Sequence, residues 1–189
     1  MTLLSHTTIA AVAGVTWTIV VIVWLIGRFT AKRTAVAQPW TSAVPYMILM
    51  LLAPLFLLDA MPLPNARLIH DAPELFGLIL IVGGGITTLA ARIALARNWS
   101  ASVALQEDHE LVMRGPYRFV RHPIYSGFLL MLLGTALGRG TAQPFAIVLI
   151  LVVVHIWKLR AEEALLAQHF PHAYPDYKAR TKALIPFVI

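Results

Sequence analysis

The sequence predicts an all-α integral membrane protein with five transmembrane helices, of which the last two form a hairpin followed by a cytoplasmic helix and tail. Composition is the first reason: 59% of the 189 residues are hydrophobic, 13% are charged, and mean hydropathy is +0.75. A soluble domain of this length could not bury so much apolar surface. The second reason is that the apolar residues form separate runs bounded by basic residues, as membrane spans do.

Five apolar runs are predicted to span the bilayer: residues 7–27, 44–58, 75–91, 124–138 and 141–157. The first run is long enough to cross a core of roughly 30 Å, and no basic residue precedes it, so it is read as a span and not as a signal peptide. The second contains Pro45 and Pro54, which neighbouring helices can accommodate. The third contains Gly83, Gly84 and Gly85, which favour close helix packing. Only Arg139 and Gly140 separate the last two runs, so these form a helical hairpin.

The basic residues predict the orientation of the spans. They concentrate in the loop after the first run, in the segment after the third and in the tail, whereas the other side carries only Arg67 and Arg139. By the positive-inside rule the N-terminus lies outside, and the polar segments and C-terminus lie in the cytoplasm of a multi-pass protein of the inner or cytoplasmic membrane. Because these residues flank apolar runs, the formal charge of +6 does not indicate nucleic-acid binding.

Polar side chains converge where the hairpin begins and ends. Closing it brings residues 121–125 close to residues 155–163, which include the following ionisable groups: His155, Lys158, Arg160, Glu162 and Glu163. Arg121 and His122 lie directly before the fourth run, where a helix N-terminus offers free N–H groups to an anion. Pro123 suits the first turn because its missing N–H would have had no partner there. We therefore expect the site within residues 115–127 and the facing part of the fifth helix.

Residues 111–127, with Arg121-His122-Pro123-Ile124-Tyr125-Ser126-Gly127 at their end, resemble the signature of the isoprenylcysteine carboxyl methyltransferases. This family is related to the phospholipid methyltransferases. The tail is similar too, with Glu162-Glu163 followed by Leu166, Phe170, Tyr174, Tyr177 and Arg180. The resemblance covers residues 99–187, about half of the chain. Because the length leaves little room for a second fold beside the membrane spans, we expect a single membrane domain over residues 1–189, with three N-terminal spans in 1–96 and a cofactor-binding loop, hairpin and tail in 97–189.

The resemblance further implies an S-adenosylmethionine-dependent membrane methyltransferase acting on the carboxylate of a prenylcysteine-like lipophilic substrate, which enters from the bilayer among membrane lipids. Its cofactor pocket would comprise Gln106, His109, Glu110, Leu111, Val112, Tyr117, His122, Pro123, Ile124, Tyr125 and Glu162. The catalytic residues would be Arg160, which faces the substrate, and Glu163. Two points stay open: Lys158 could take the place of Arg160, and either glutamate could bind the cofactor. No metal site is expected. His169 and His172 could be read as metal ligands, but two histidines at this spacing are common and no carboxylate partner recurs nearby.

Two other functions are weighed against this one. Phospholipid N-methylation of an ethanolamine headgroup uses the same donor, but a proton must leave the amine, so Glu163 or His155 would serve as base. A sterol-reductase-like enzyme would use NADPH. It is disfavoured because the motif here is Arg121-His122-Pro123 and not the differently spaced Arg-His-x-Asn-Tyr pattern of those enzymes.

Overall fold

A computed structural model of the chain describes residues 6–30, 32–37, 48, 64, 66–69, 73–99 and 104–186. Its α-helices are α1 (His6–Thr30), α2 (Glu74–Leu95), α3 (Pro123–Arg139), α4 (Ala142–His169) and α5 (Ala173–Arg180). Two short 3-10 helices cover Ala96–Asn98 and Gly115–Arg118. Strands β1 (Thr34–Ala37) and β2 (Ala104–Gln106) pair antiparallel as a small ribbon.

Among the residues that the structure describes, three helical segments are long and apolar enough to cross a membrane: His6–Gly27, Glu74–Asn98 and Ala142–His169. They contain the first and third predicted runs and all of the fifth except residue 141, in agreement with a mostly helical, membrane-associated protein. The fourth run forms the 17-residue helix α3. The second run, residues 44–58, lies outside the described residues apart from residue 48. The count of five spans and their orientation therefore stay predictions.

Helices α2 and α3 pack antiparallel with glycine facing glycine at two levels. A Cβ atom added to Gly77 would overlap the carbonyl oxygen of Gly134, and one added to Gly84 would overlap that of Gly127. In each helix the two glycines are seven residues apart, which places them on one face. The predicted role of the glycine run in helix packing therefore applies to Gly84 directly. It does not apply to Gly83, whose added Cβ would meet nothing within 4 Å.

Helix α1 lies alongside α2 and runs in the same direction. At its first residue His6 Nδ1 lies 2.6 Å from Glu74 Oε2, and at its other end Gly27 contacts Arg92. Buried Val20 of α1 packs with Ile81 and Met131 of the two neighbouring helices. Arg92 Nη2 donates to the Gly27 carbonyl (2.9 Å), and its guanidinium carbon lies 4.8 Å from the Trp99 ring centroid. One buried cation thus caps the last turn of α1 and joins it to the end of α2.

Two features differ from the sequence-based prediction. The β1–β2 ribbon was not predicted, because its strands have only four and three residues and depend on pairing across 70 positions of chain. The predicted helix after residue 157 is present as the continuation of α4 to His169, but it is followed by a separate helix α5 before the tail extends. The chain therefore reverses near Phe170 and brings residues 173–186 back onto the start of α3.

Gly84→Ala is expected to lower the free energy of unfolding by about 1–3 kcal/mol relative to Gly83→Ala, because its methyl group meets backbone that cannot move aside. The neighbouring Gly83→Ala change adds the same methyl group in the same helix, but into open space. Thermal or denaturant unfolding of the detergent-purified variants measures the difference. Equal stabilities of the two variants would show that α2 and α3 are not in backbone contact at this level.

Candidate active site

The start of α3 is held in place by the C-terminal tail. His122 occupies the N-cap position of α3 and Pro123 the first helical position. The backbone N–H groups of Arg121 and His122 donate to the carbonyl oxygens of Lys182 (2.8 Å) and Ala183 (2.9 Å). Tail and loop pair like two parallel strands at this point, so the tail fixes where residues 121 and 122 project.

Arg121 and Glu163 form a buried ion pair that joins this loop to α4. Arg121 Nε donates to Glu163 Oε1 (2.7 Å), and Lys178 Nζ of α5 donates to Glu163 Oε2 (2.7 Å). Arg121 also donates through Nη1 to the carbonyl oxygen of Thr181 in the tail. Both oxygens of Glu163 therefore accept charge-assisted bonds, which suits a positioning role better than the predicted catalytic one.

His122, Tyr125 and Glu162 form the centre of the site. Tyr125 Oη donates to Glu162 Oε1 (2.6 Å), and the rings of His122 and Tyr125 stack at a centroid distance of 5.6 Å. His122 Nδ1 lies 3.5 Å from Glu162 Oε2, and its Nε2 lies 3.4 Å from Glu163 Oε1. His122 is buried and bridges both glutamates. Glu162 is the less enclosed of the two glutamates, because its side chain is 25% exposed against 10% for Glu163.

From Glu162 the site extends back along α4, through Lys158 and His155, towards the apolar part of the bundle. The His155 ring meets the Tyr125 ring edge-on with centroids 5.0 Å apart, and Lys158 Nζ lies 5.6 Å from the Tyr125 centroid. His155 Nδ1 donates to the Leu151 carbonyl (2.7 Å), since a carbonyl oxygen can only accept. Lys158 is only 9% exposed, which makes it a buried cation within the site.

Arg160, the predicted substrate-facing residue, is exposed. A helix turns about 100° per residue, so Lys158 and Arg160 point to nearly opposite sides of α4. The geometry therefore favours Lys158, the alternative that the sequence left open.

A cleft opens beside His122 between the end of α2, residues 109–112 and α5. Six of the predicted cofactor residues line it: His109, Glu110, Leu111, Val112, Tyr117 and His122. Pro123, Ile124 and Tyr125 follow His122 in the first turn of α3, and Glu162 of α4 contacts both His122 and Tyr125. Gln106 is the last residue of β2. The structure thus brings nearly all the predicted cofactor residues to one place, with the cleft beside His122 and Lys158 next to the Tyr125 ring.

Several residues of this wall were not among the predicted cofactor residues, although Arg121 lies within the stretch where the site was expected. Leu95 at the end of α2, Arg121, and Leu166, Tyr174 and Tyr177 from the C-terminal part also line the cleft. Tyr177 Oη donates to the Tyr117 carbonyl (2.6 Å), which closes the wall on that side. The two tyrosines and Leu166 belong to the tail pattern that carries the family resemblance, so that pattern was the signal that could have identified them.

The charge states of the site follow from burial and neighbours. Burial alone would lower the pKa of His122, but hydrogen bonding and attraction from Glu162 and Glu163 outweigh it and raise that pKa above its ordinary value. Burial raises the pKa of Tyr117 well above its ordinary range, and the Glu162 charge adds to the effect. Burial and nearby cationic groups lower the pKa of His109. Near neutral pH the Tyr117 phenol and the His109 imidazole of the cleft wall are therefore neutral.

The apolar helices and this cleft define a membrane-associated helical protein with a cleft of mixed polar and apolar lining at one end of its bundle. Residues 73–173 match the model of a family described as Phospholipid methyltransferase. This match covers more than half of the chain, and the protein belongs to that family.

Curated relatives carry a more specific name. Protein-S-isoprenylcysteine O-methyltransferase A of Arabidopsis thaliana is 37% identical over 120 residues, which cover 60% of this chain and 59% of the relative. The probable protein-S-isoprenylcysteine O-methyltransferase of Oryza sativa subsp. japonica is 26% identical over 168 residues, 87% of each chain. The Saccharomyces cerevisiae protein-S-isoprenylcysteine O-methyltransferase is 29% identical over 158 residues, 80% of this chain and 64% of the relative. The chain thus spans 59% of the length of both the A and B Arabidopsis relatives.

The raised pKa of His122 predicts a pH-dependent contribution to stability. Its protonated form, paired with the glutamates, contributes fully below the unfolded pKa of about 6.5, and the contribution is lost as pH rises through the higher folded value. The excess stability of the wild type over His122→Gln should therefore shrink as pH rises above about 6.5, through the raised folded-state pKa. Thermal unfolding of both proteins without added ligand measures it. An excess that grows with pH would contradict the assignment.

Proposed function

We propose that this protein is an S-adenosylmethionine-dependent membrane methyltransferase that transfers a methyl group to the carboxylate of a prenylcysteine-like lipophilic substrate. Family membership and the names of the relatives support methyl transfer to such an acceptor. The observation that carries the proposal is the arrangement about His122 and Tyr125: an amphipathic cleft opens beside His122, and the buried Lys158 lies next to the Tyr125 ring, one turn of α4 before Glu162.

The residues of the cleft fit this cofactor. His109, Glu110 and His122 provide polar groups for an amino acid and a ribose, while Leu111 and Val112 provide apolar surface for a base. S-adenosylmethionine, when bound, supplies a methyl group already activated by its sulfonium. Glu162 can accept hydrogen bonds from hydroxyl or ammonium groups, because Tyr125 engages only one of its oxygens directly.

The chain's own contribution to the reaction is then mainly positioning. A carboxylate acceptor is already ionised near neutral pH, so no side chain has to remove a proton. Lys158 can hold one carboxylate oxygen as a point charge, without the two parallel bonds that an arginine would make. The buried rings of Tyr125 and His155 exclude water around that pairing.

Phospholipid N-methylation is the second candidate, favoured by the description of the matching family. The geometry fits it less well. An ammonium headgroup would approach the buried cation Lys158, and the attacking amine would need a base. Glu163 is engaged by two cations, so the base would have to be Nε2 of His155 or the second carboxylate oxygen of Glu162. A nicotinamide-dependent reductase has no support from the family match.

The finer topology belongs to the same proposal. Five spans, with the N-terminus outside and the C-terminus and active site in the cytoplasm, agree with the parallel course of α1 and α2 and the antiparallel course of α3. The acceptor's lipophilic tail would then enter laterally from the bilayer at the level of Lys158. Membrane lipids and this substrate are the expected partners.

Ligand binding is the first test. We expect the detergent-purified protein to bind labelled S-adenosylmethionine and not NADPH. His122→Ala and Glu162→Gln should weaken binding roughly 10- to 100-fold, as expected for hydrogen bonds that involve charged groups. Arg160→Gln, which alters an exposed side chain of the same helix, serves as the folding control for this binding measurement. A folded protein that does not bind S-adenosylmethionine would refute the proposed function.

The acceptor-facing cation is tested by comparing Lys158→Met with Arg160→Met. Loss of the buried ammonium is expected to lower kcat/KM for the acceptor by roughly 100-fold while cofactor affinity changes little. The exposed Arg160 should tolerate its change. Methyl transfer to a farnesylcysteine analogue is measured, with phosphatidylethanolamine as the competing acceptor. An inactive Arg160→Met variant beside an active Lys158→Met variant would show that Arg160, and not Lys158, faces the acceptor. Methylation of phosphatidylethanolamine alone would favour the second candidate function.

A further inference from the structure

Four exposed side chains next to the site have no part in the proposed reaction. They are Arg118 and Phe119 in the loop before α3, and Lys182 and Ile185 in the tail. We call them the interfacial patch. Phe119 is 57% exposed and Ile185 53% exposed, which is high for large apolar residues beside a well-packed site. The patch therefore presents two apolar and two basic side chains to the surroundings.

Backbone contacts bring the two halves of the patch together. Val120 pairs with Lys182 in a parallel bridge, and the N–H of Arg121 donates to the Lys182 carbonyl (2.8 Å). Ser126 Oγ in the first turn of α3 donates to the carbonyl of Leu184, the residue before Ile185. The patch is thus one surface, attached by these bonds to the residues that carry the site.

The charge of the patch has one sign. The Arg118 guanidinium carbon lies 5.1 Å from the centre of the Phe119 ring, so the cation and the aromatic ring project together. Residues 113–122 and 181–186 contain no aspartate or glutamate. A ligand of this surface must therefore be anionic, and it must also provide apolar material for Phe119 and Ile185.

The position of the patch identifies that ligand as lipid. Phe119 lies four residues before α3, whose apolar sequence begins at Ile124, so the patch sits at the border between the apolar bundle and its polar end. At such a border aromatic side chains occupy the headgroup level, while arginine and lysine reach lipid phosphates. We propose that the interfacial patch binds the headgroups of anionic phospholipids and that the bound lipid seats the loop before α3.

The test is the selective retention of lipid by the whole protein. The protein is extracted from membranes with equal amounts of phosphatidylglycerol and phosphatidylcholine, and native mass spectrometry counts the lipids retained. The wild type should prefer phosphatidylglycerol. Each basic residue near the surface contributes about fivefold, so Arg118→Gln with Lys182→Gln should reduce the ratio roughly tenfold or more.

A matched control removes the same charge elsewhere: Arg67→Gln at the other end of the bundle with Arg180→Gln in the last turn of α5, both exposed. This control should keep the wild-type ratio, and so should Arg118→Lys, which preserves the charge. If the double patch variant does not fold, salt provides a second measurement on the wild type. Raising ionic strength from about 0.05 to 0.5 M should reduce its phosphatidylglycerol preference.

An unchanged ratio in the patch variant, or a salt-independent wild-type ratio, would overturn the proposal. If that unchanged ratio came with a dimer that depends on Phe119, the patch would be an interface with a second copy. The assay requires no methyl transfer. Its failure is therefore distinguishable from failure of the proposed function.

Discussion

The buried ion pair between Arg121 and Glu163 joins parts of the chain that are far apart in sequence. It connects the loop before α3 to the C-terminal part of α4, and through Lys178 and the Thr181 carbonyl it holds α5 and the tail as well. Burying two charges costs several kcal/mol each unless hydrogen bonds compensate them. Here both oxygens of the carboxylate are engaged, so removing Arg121 or Glu163 would leave the other buried charge with fewer of the bonds that compensate its burial. His122 lies against this pair and takes its position from it.

The glycine contacts determine how this network meets the helices. Gly84 against Gly127 brings α2 and α3 to backbone contact one turn beyond the start of α3, so the end of α2 is held close to His122. Leu95 thereby becomes a wall of the cleft. Residues larger than glycine at positions 84 and 127 would separate the two helices and open the cleft, even with all the polar residues of the site in place. Close packing within the bundle and the polar network at its end therefore support one site together.

Much of the site was predictable because connectivity alone brings it together. A hairpin that starts after His122 and returns at Glu162 must place the two side by side, and the structure does so. The choice between Lys158 and Arg160 was not predictable. It depends on which face of α4 packs on Tyr125, and α4 is apolar on all sides over its span, so its sequence carries little phase information. The roles of the β1–β2 ribbon and of Arg92 escaped prediction for a similar reason, because both depend on contacts between segments distant along the chain.

The central claim is that the Arg121–Glu163 pair assembles a cofactor site and is not a surface ion pair beside one. A double-mutant cycle on S-adenosylmethionine affinity tests it most directly, with Arg121→Met, Glu163→Gln and the double variant compared by binding titration. Each single change should weaken S-adenosylmethionine binding strongly. The double variant should bind only slightly more weakly than the single variant of lower affinity, because the pair acts as a unit. Losses that simply add, or single variants that bind as well as the wild type, would contradict this account.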